Sequence, residues 1–394
     1  MKRTGIGISI AFAVMVAGIS LGSFLAKDRD FSENENRYLA SVPKFSVRDF
    51  VSGDYQDKLE TYLNDQIWMR DGWITAKTAV QKTCGDTDIG GAYVGKDGYD
   101  FEKILPEDVD DALVNRNIRA VADYFQYCAE RVGKEHASFL LVPTSGLVMS
   151  DKLPEHAILF DQRTYIDRIA GAMEDYNFIS PEAILKEHAN EDVYYRTDHH
   201  WTTRGAFLTY QTWCEKTGHE FLGEDAYEVT QVSDSFRGSL YSKILDYDSA
   251  YDTIEVMKRI PTMEELSSSV MDGYTVWADG ENLKGIYHEE FLEKKDKYAY
   301  FLGGNYGEVR IEHVDGAEQS PAGDNLLIIK DSFANAFVPF VIPEYDNIYM
   351  IDLRYYSGDM ASYIDENEIT DVLVLYNVSN FISDKNIYKL SREI

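Results

Sequence analysis

The chain has 394 residues, of which 44% are hydrophobic and 27% charged, so it can bury a sizeable core and is not a disordered polymer. Asp and Glu number 68 against 38 Lys and Arg, a net charge of −30. A nucleic-acid binder needs positive surface to displace counterions from phosphate, and docking of the soluble part on anionic lipid needs the same sign, so the balance argues against both.

Lys2 and Arg3 precede an uncharged stretch from Gly5 to Ala26. As a helix it covers the roughly 30 Å of a bilayer's hydrocarbon, and it exceeds the roughly 7–15 apolar residues of a cleaved secretory signal. Residues 1–27 are expected to be an uncleaved membrane anchor, with a cleaved signal as second choice. Either puts the bulk of the chain outside the cytoplasm. Residues 28–82 follow as a polar linker, with Phe31-Ser-Glu-Asn-Glu-Asn-Arg37 and Pro43, and then a helical arm in which Leu59, Tyr62, Leu63 and Ile67 recur at helical spacing.

The remainder, 83–394, reads as one α/β domain with an insertion. Ala92 to Phe101 carries Lys96-Asp97-Gly98 between aromatic-rich segments, a hairpin signature. A long helix is expected from Pro106 to about Val132, a buried strand over Ala137–Val142, and a helix over 161–175. A short strand is expected over Val193–Tyr195, and Thr202 or Thr203 caps a helix running to about Lys216. From about 221 to 311 the chain is rich in Tyr, Asp and Gly and predicts a β-rich insertion, with β-like runs at Tyr274–Trp277, Tyr298–Leu302 and Val309–Ile311. After Pro321, strands at Leu326–Lys330, Ile348–Ile351 and Val372–Leu375 alternate with helices at Phe333–Val341 and Ala361–Ile364. This rhythm predicts a mostly parallel sheet flanked by helices. Cys84, Cys128 and Cys214 are odd in number and widely spaced, without a metal or redox motif. The chain has 28 Tyr, 19 Phe and 5 Trp, which suits an aromatic core and equally suits flat rings for sugar recognition.

In open α/β sheets ligands bind where strands end, and three such ends carry polar groups. The first is Arg196-Thr-Asp198-His199-His200-Trp201. If it is extended, Asp198 and His200 face one side and His199 the other. A carboxylate beside an imidazole fixes its tautomer and stabilises the imidazolium. The second is Lys330-Asp331-Ser332-Phe333-Ala334-Asn335, where Ser332 stands between a strand and a helix N-terminus able to stabilise an oxyanion. The third is Asn377, an amide at another strand end. Together they supply nucleophile, base, orienting acid and oxyanion donor, the set that acyl transfer needs. Taken singly, a Ser placed like Ser332 is most often a helix cap, His200 also reads as a satisfied buried imidazole, and Trp201 reads equally as core or pocket wall. Asp198, His199 and His200 also have the composition of a metal site. No other His stands at ligand spacing, so neither a metal nor a cofactor is expected.

Arg196-Thr-Asp-His-His-Trp-Thr202, with Ser332 in Lys-Asp-Ser-Phe-Ala-Asn, resembles the DHHW protein family. It is also similar to the alginate O-acetyltransferases AlgX and AlgJ, whose fold is SGNH-hydrolase-like. Phe31 to Arg37, Gly90 to Phe101, Phe236-Arg-Gly-Ser-Leu240 and Ile351-Asp-Leu-Arg-Tyr355 resemble family blocks too. The Asp and His precede the Ser, as in the alginate enzymes and unlike ordinary SGNH hydrolases. The resemblance implies Ser332 as nucleophile, His200 as base and Asp198 as its orienter. Asn377, Arg354, Tyr355, His199 and Trp201 are the accompanying oxyanion or substrate candidates. It further implies O-acetyl transfer to an extracellular or cell-envelope polysaccharide, the acyl donor being relayed by a membrane-bound O-acyltransferase. An esterase using the same triad with water, and a non-catalytic glycan-binding protein of the envelope, are the competing readings.

Overall fold

The computed structural model describes residues 2–35, 37–260, 273–313 and 323–392. The chain divides into two compact units, Met1–Gly90 with Tyr241–Ser249, and Gly91–Leu240 with Ala250–Ile394.

In the first unit a helix runs from Lys2 to Leu25. Its segment Ile6–Leu25 has a mean hydropathy of 2.2 and is long and apolar enough to cross a membrane. The helical arm is three helices, Val47–Ser52, Asp54–Asp65 and Arg70–Thr83. Gly53 separates the first two at φ +93°, a conformation that glycine reaches without strain. The polar stretch before them is fastened down. Asp65 accepts hydrogen bonds from Arg37 Nη1 at 3.0 Å and from the Ala40 N–H at 2.8 Å. Gln66 Nε2 donates to the carbonyls of Arg29 and Ala40 at 2.9 and 3.0 Å.

The second unit is built on an eight-stranded sheet. Its strands are β1 (Ala137–Val142), β2 (Asn177–Ile179), β3 (Tyr274–Ala278), β4 (Glu281–Leu283), β5 (Glu308–His313), β6 (Asn325–Lys330), β7 (Asn347–Ile351) and β8 (Asp371–Asn377). The order across the sheet is β4-β3-β5-β7-β6-β8-β1-β2. From β7 to β2 neighbours are parallel, and β5, β3 and β4 extend the β7 side antiparallel. This is the mostly parallel, helix-flanked sheet that the sequence predicts.

β1, β6 and β8 are buried at every position, which explains their unbroken apolar runs: a strand covered on both faces has no solvent side. Successive side chains still alternate between two layers. Leu140, Val142, Leu326 and Ile328 pack with Phe207 and Trp213 of the helix Thr203–Thr217 and with Phe337 of the helix Ala334–Val341. Phe139, Leu141, Leu327 and Ile329 pack with Val121 and Phe125 of the helix Asp111–Ala129 and with Ile166 and Ile169 of the helix Gln162–Ala172. The helix Ala334–Val341 after β6 therefore lies on one face and the helix Gln162–Ala172, between β1 and β2, on the other. In open α/β sheets ligands bind at the carboxyl ends of the strands, where connections change face.

Of the β-rich region, Tyr227–Phe236 and Asp252–Arg259 form a separate antiparallel ribbon, while β3, β4 and β5 join the sheet. Residues 261–272 of that region lie outside the described residues. Ala92–Val94 and Asp100–Glu102 form the expected hairpin. Its turn places Asp97 and Gly98 at φ +56° and +78°, the primed geometry that matches strand twist.

Three local expectations change. The helix expected from Pro106 begins at Asp111, because Asp110 caps it by accepting from the Ala112 and Leu113 N–H groups; Pro106–Asp108 is a separate 3₁₀ turn. Val193–Tyr195 is not a strand, since only Tyr194 pairs, in a bridge with Trp201. Tyr298–Leu302 is not one either, because Lys297–Tyr300 winds as a 3₁₀ turn.

The helix Thr203–Thr217 is pinned to the sheet by Trp213, which is 1% exposed and whose Nε1 donates to Ser138 Oγ at 3.1 Å. Trp213→Ala should lower unfolding free energy by about 3–5 kcal/mol in denaturant melts. A loss below about 1 kcal/mol would mean that this contact does not hold the helix.

Candidate active site

The site is assembled from the carboxyl ends of β6 and β8 and from the loop between Tyr194 and Trp201. β6 ends at Lys330, and Asp331 follows with its N–H donating to the Leu375 carbonyl of β8 at 3.2 Å. The Asp331 carboxylate then accepts from the Phe333 N–H at 2.9 Å, the Asn377 N–H at 2.7 Å and Asn380 Nδ2 at 2.8 Å. Burial raises the Asp331 pKa, opposed by these three donors. One carboxylate thus clasps the turn carrying Ser332 to the end of the neighbouring strand. Ser332 stands in that turn, and the helix begins at Ala334 without a side-chain cap. The cap-like bond to Phe333 comes from Asp331, so capping is not what Ser332 does. Among the described residues the Ser332 N–H has no hydrogen-bond acceptor.

The loop 196–200 is bent, not extended. Asp252 closes its base by accepting from the N–H groups of Arg196 and Thr197, each at 2.8 Å, and from Thr197 Oγ1 at 2.6 Å. The loop curls around the Asp198 carboxylate. Oδ1 accepts from the His200 N–H at 3.0 Å and from His200 Nδ1 at 2.6 Å, while Oδ2 accepts from the Ser239 N–H at 2.7 Å. An ionised carboxylate only accepts, so His200 Nδ1 carries the proton and Nε2 is left as acceptor. Nε2 lies 2.7 Å from Ser332 Oγ, within the reach of a general base.

Asp198, His200 and Ser332 are 4%, 6% and 8% exposed, which sets the electrostatics. Burial would raise the Asp198 pKa, but the adjacent His200 and His199 and the hydrogen bonds from His200 and Ser239 hold it far below the usual carboxylate range. Burial pushes the His200 pKa down to about 4; His199 adds to the shift and Asp198 opposes it. The imidazole is therefore neutral at neutral pH, as a base must be.

The alternation expected for His199 does not survive the bend. Its ring centroid is 3.9 Å from that of His200 instead of on the opposite face, and Nδ1 lies 2.6 Å from Ser239 Oγ. The donor atoms of Asp198, His199 and His200 lie within 4.8 Å of one another, as a metal site would require. However, Asp198 Oδ1, both His200 nitrogens and His199 Nδ1 are turned to hydrogen-bond partners instead of one shared point.

Asn377 is not positioned as an oxyanion donor. Its Nδ2 donates to the Pro143 carbonyl at 3.2 Å, and its Oδ1 accepts from the N–H and hydroxyl of Ser379. It caps the following helix, a role that competes for the same amide. Arg354 forms a two-pronged pair with the buried Asp352, Nε to Oδ1 at 2.9 Å and Nη2 to Oδ2 at 2.6 Å; its charge helps depress His200. Tyr355 is 60% exposed, with its ring 5.4 Å from the Arg354 guanidinium carbon. Trp201 is fully buried and its Nε1 donates to the Phe333 carbonyl at 3.1 Å. It is a strut between the His-bearing loop and the Ser-bearing turn.

Two contributors were not visible in the sequence pattern. Tyr298 stacks on His200 with centroids 3.8 Å apart and planes within 9°, and its hydroxyl donates to the Ser332 carbonyl at 3.2 Å. Gly238 lies so close to Asp198 that a Cβ there would fall 2.2 Å from Oδ2. Gly238 belongs to the block Phe236–Leu240 already noted for its family resemblance, which was the one available signal. Nothing in the spacing of Tyr298 distinguishes it from the other 27 of the 28 tyrosines.

The mostly parallel sheet thus carries a serine, an imidazole and a carboxylate hydrogen-bonded in series at the carboxyl ends of its strands. The chain belongs to the DHHW protein family, whose model matches residues 148–351. Its fold is similar to that of a DHHW family protein from Eubacterium siraeum, with TM-score 0.61 and 24% identity over 77% of this chain and 96% of that one. It is also similar to Bacillus cereus PatB1, with TM-score 0.60 and 22% identity over 75% of this chain and 97% of that one. The O-acetyltransferase domain of Pseudomonas putida AlgJ aligns more loosely, with TM-score 0.46 and 13% identity over 77% and 99% of the two chains. No curated protein matches the chain.

Nuclear magnetic resonance of the imidazoles tests the electrostatics. His200 should remain neutral at pH 6 and titrate near its lowered value of about 4, whereas an ordinary imidazole titrates near pH 6.5. His199→Ala removes a depressing neighbour and should raise the His200 value; Asp198→Asn removes the opposing charge and should lower it. Gly238→Ala should displace Asp198 and erase the signal of the hydrogen-bonded Nδ1 proton. A His200 midpoint near 6.5 in the unaltered protein would show that the ring is not held as described.

Proposed function

We propose that the chain is an exported serine O-acyltransferase, anchored by residues 1–27, that moves acetyl groups onto an extracellular or cell-envelope polysaccharide. The observation that carries this reading is the hydrogen-bonded series Asp198, His200 and Ser332, at 2.6 and 2.7 Å, drawn from residues 132 apart. Membership of the DHHW family and the likeness in fold to PatB1 support it, as does the apolar N-terminal helix.

In this reading Ser332 Oγ attacks the acyl carbonyl of the donor while its proton passes to His200 Nε2. Asp198 keeps His200 in the right tautomer and stabilises the imidazolium. The negative oxygen of the tetrahedral intermediate takes hydrogen bonds from the Ser332 N–H and the Arg354 Nη1 edge that Asp352 leaves unbonded. Collapse expels the donor's leaving group, which takes the proton from His200, and leaves an acyl ester on Ser332. A sugar hydroxyl then attacks that ester, giving its proton to Nε2; the second tetrahedral intermediate collapses, Nε2 returns the proton to Ser332 Oγ, and the acetylated sugar departs. Tyr298 positions the base through stacking and the nucleophile through the Ser332 carbonyl. Acetyl-CoA is cytoplasmic, so we assign delivery of the acyl group to a membrane-bound O-acyltransferase partner. Residues 28–82 serve as the arm between anchor and catalytic domain, 83–394.

PatB1 has been captured with a sulfonyl adduct, so a sulfonyl fluoride is the first probe. Mass spectrometry should find one adduct on Ser332, absent in Ser332→Ala, with stability nearly unchanged because Ser332 Oγ caps no helix. His200→Ala should lower turnover of an acetyl-ester chromogen by about 10²–10⁴-fold; His199→Ala should keep a substantial part. An oligosaccharide acceptor that gains acetyl selects transfer, and acetate released regardless of acceptor selects an esterase. Unlabelled Ser332 in folded protein would overturn both.

A further inference from the structure

Trp68, Met69 and Trp73, at the junction between the helices Asp54–Asp65 and Arg70–Thr83, are 44%, 59% and 41% exposed. Tryptophan is a costly residue to leave facing water, because its large ring gains from burial. Met69 adds a second anomaly, with φ +58°, a conformation uncommon for any residue with a side chain.

These exposed residues sit beside the end of the apolar helix. The Trp68 N–H donates to Ser23 Oγ at 2.9 Å. A Cβ on Gly22 would come 2.8 Å from the Trp68 ring, so the indole rests against a helix position that has no side chain. Trp73 Nε1 donates to the Trp68 carbonyl at 3.0 Å, which ties the second indole to the first. Gly22 and Ser23 stand two or three residues before Leu25, where the apolar segment ends. At a rise of about 1.5 Å per residue, the contact is about 3–5 Å from that end. This is the depth at which a spanning helix leaves hydrocarbon, and it is where indoles concentrate, ring in the acyl boundary and N–H toward water.

Charge allows the same placement. Beyond the span, residues 26–90 and 241–249 of this unit hold 10 Lys and Arg against 14 Asp and Glu, although the whole chain carries −30. Nearly all the charge that an anionic surface would repel belongs to the other unit, so burial of apolar rings meets little electrostatic opposition here.

We propose that the turn bearing Trp68, Met69 and Trp73 inserts into the headgroup–acyl boundary of the bilayer that residues 6–25 span. The arm is then a second, interfacial contact with lipid. This rests on the anchor reading and is independent of the chemistry assigned to Ser332.

The test uses the full chain in vesicles of phosphatidylcholine and phosphatidylglycerol, with part of the phosphatidylcholine brominated high on its acyl chains. The other tryptophans, Trp201, Trp213 and Trp277, lie in the second unit. Bromine should quench the fluorescence of the unaltered protein, and the double substitution Trp68→Phe and Trp73→Phe should remove most of that quenching. Gly22→Ile, which keeps the span apolar but fills the place of the Trp68 ring, should reduce quenching without releasing the protein. Protein that floats with vesicles but is quenched equally with and without the two indoles overturns the proposal and leaves the anchor standing. Indoles shielded from both bromolipid and aqueous acrylamide also overturn it, since a protein surface such as a second copy then covers them. Cellular protein lacking residues 1–25 overturns the anchor and the proposal together.

Discussion

Everything in the candidate site depends on keeping one buried carboxylate, Asp198, fully hydrogen-bonded. A charge that is 4% exposed is tolerable only when donors replace the lost water. Here the donors are the His200 ring, the His200 N–H and the Ser239 N–H. Supplying them dictates the surroundings. The loop must bend so that His200 folds back over Asp198, Asp252 must hold the loop's base, and position 238 must be bare so that the chain at Ser239 can approach. The low pKa of Asp198 and the neutral His200 are two consequences of that arrangement.

The nucleophile side is organised by a second buried acid, and the two are joined by aromatic groups. Asp331 locks the turn after β6 to the end of β8, fixing Ser332 relative to the sheet. Trp201 ties that turn to the imidazole loop through the Phe333 carbonyl, and Tyr298 touches both His200 and the Ser332 backbone. Trp201 and Tyr298 therefore act as rigid spacers. Each carries a polar tip that finds a carbonyl, which is how a buried Trp or Tyr avoids an unsatisfied donor.

The parallel core was legible because strands buried on both faces leave unbroken apolar runs, as at Phe139–Val142 and Leu326–Ile329. Asp198, His200 and Ser332 could be grouped because each stood next to a predicted strand end or helix start, and the fold brings them within hydrogen-bond distance. A bend, not strand alternation, puts Asp198 and His200 together, and the same bend carries His199 alongside. Asn377 shows a different limit. An amide at a strand end can serve a ligand or cap the next helix, and only the position of Ser379 decides. Tyr298 and Gly238 act across long sequence separations, through a ring face and through the lack of a side chain, and neither leaves a periodic trace.

The strand order bears on how the chain becomes folded. β8, which follows every other strand in sequence, inserts between β6 and β1 at the middle of the sheet. Until residues 371–377 arrive, β6 and β1 have no common neighbour, and both core layers are open along their centre. Such non-local pairing makes folding slow, because loop-closure entropy is spent before the contacts form. Under the export proposed above, a chain crossing a membrane from its N-terminus would thus stay soft and protease-sensitive almost to the end of its passage. It would acquire a rigid sheet in one late step, and the two halves of its polar centre would meet in that same step.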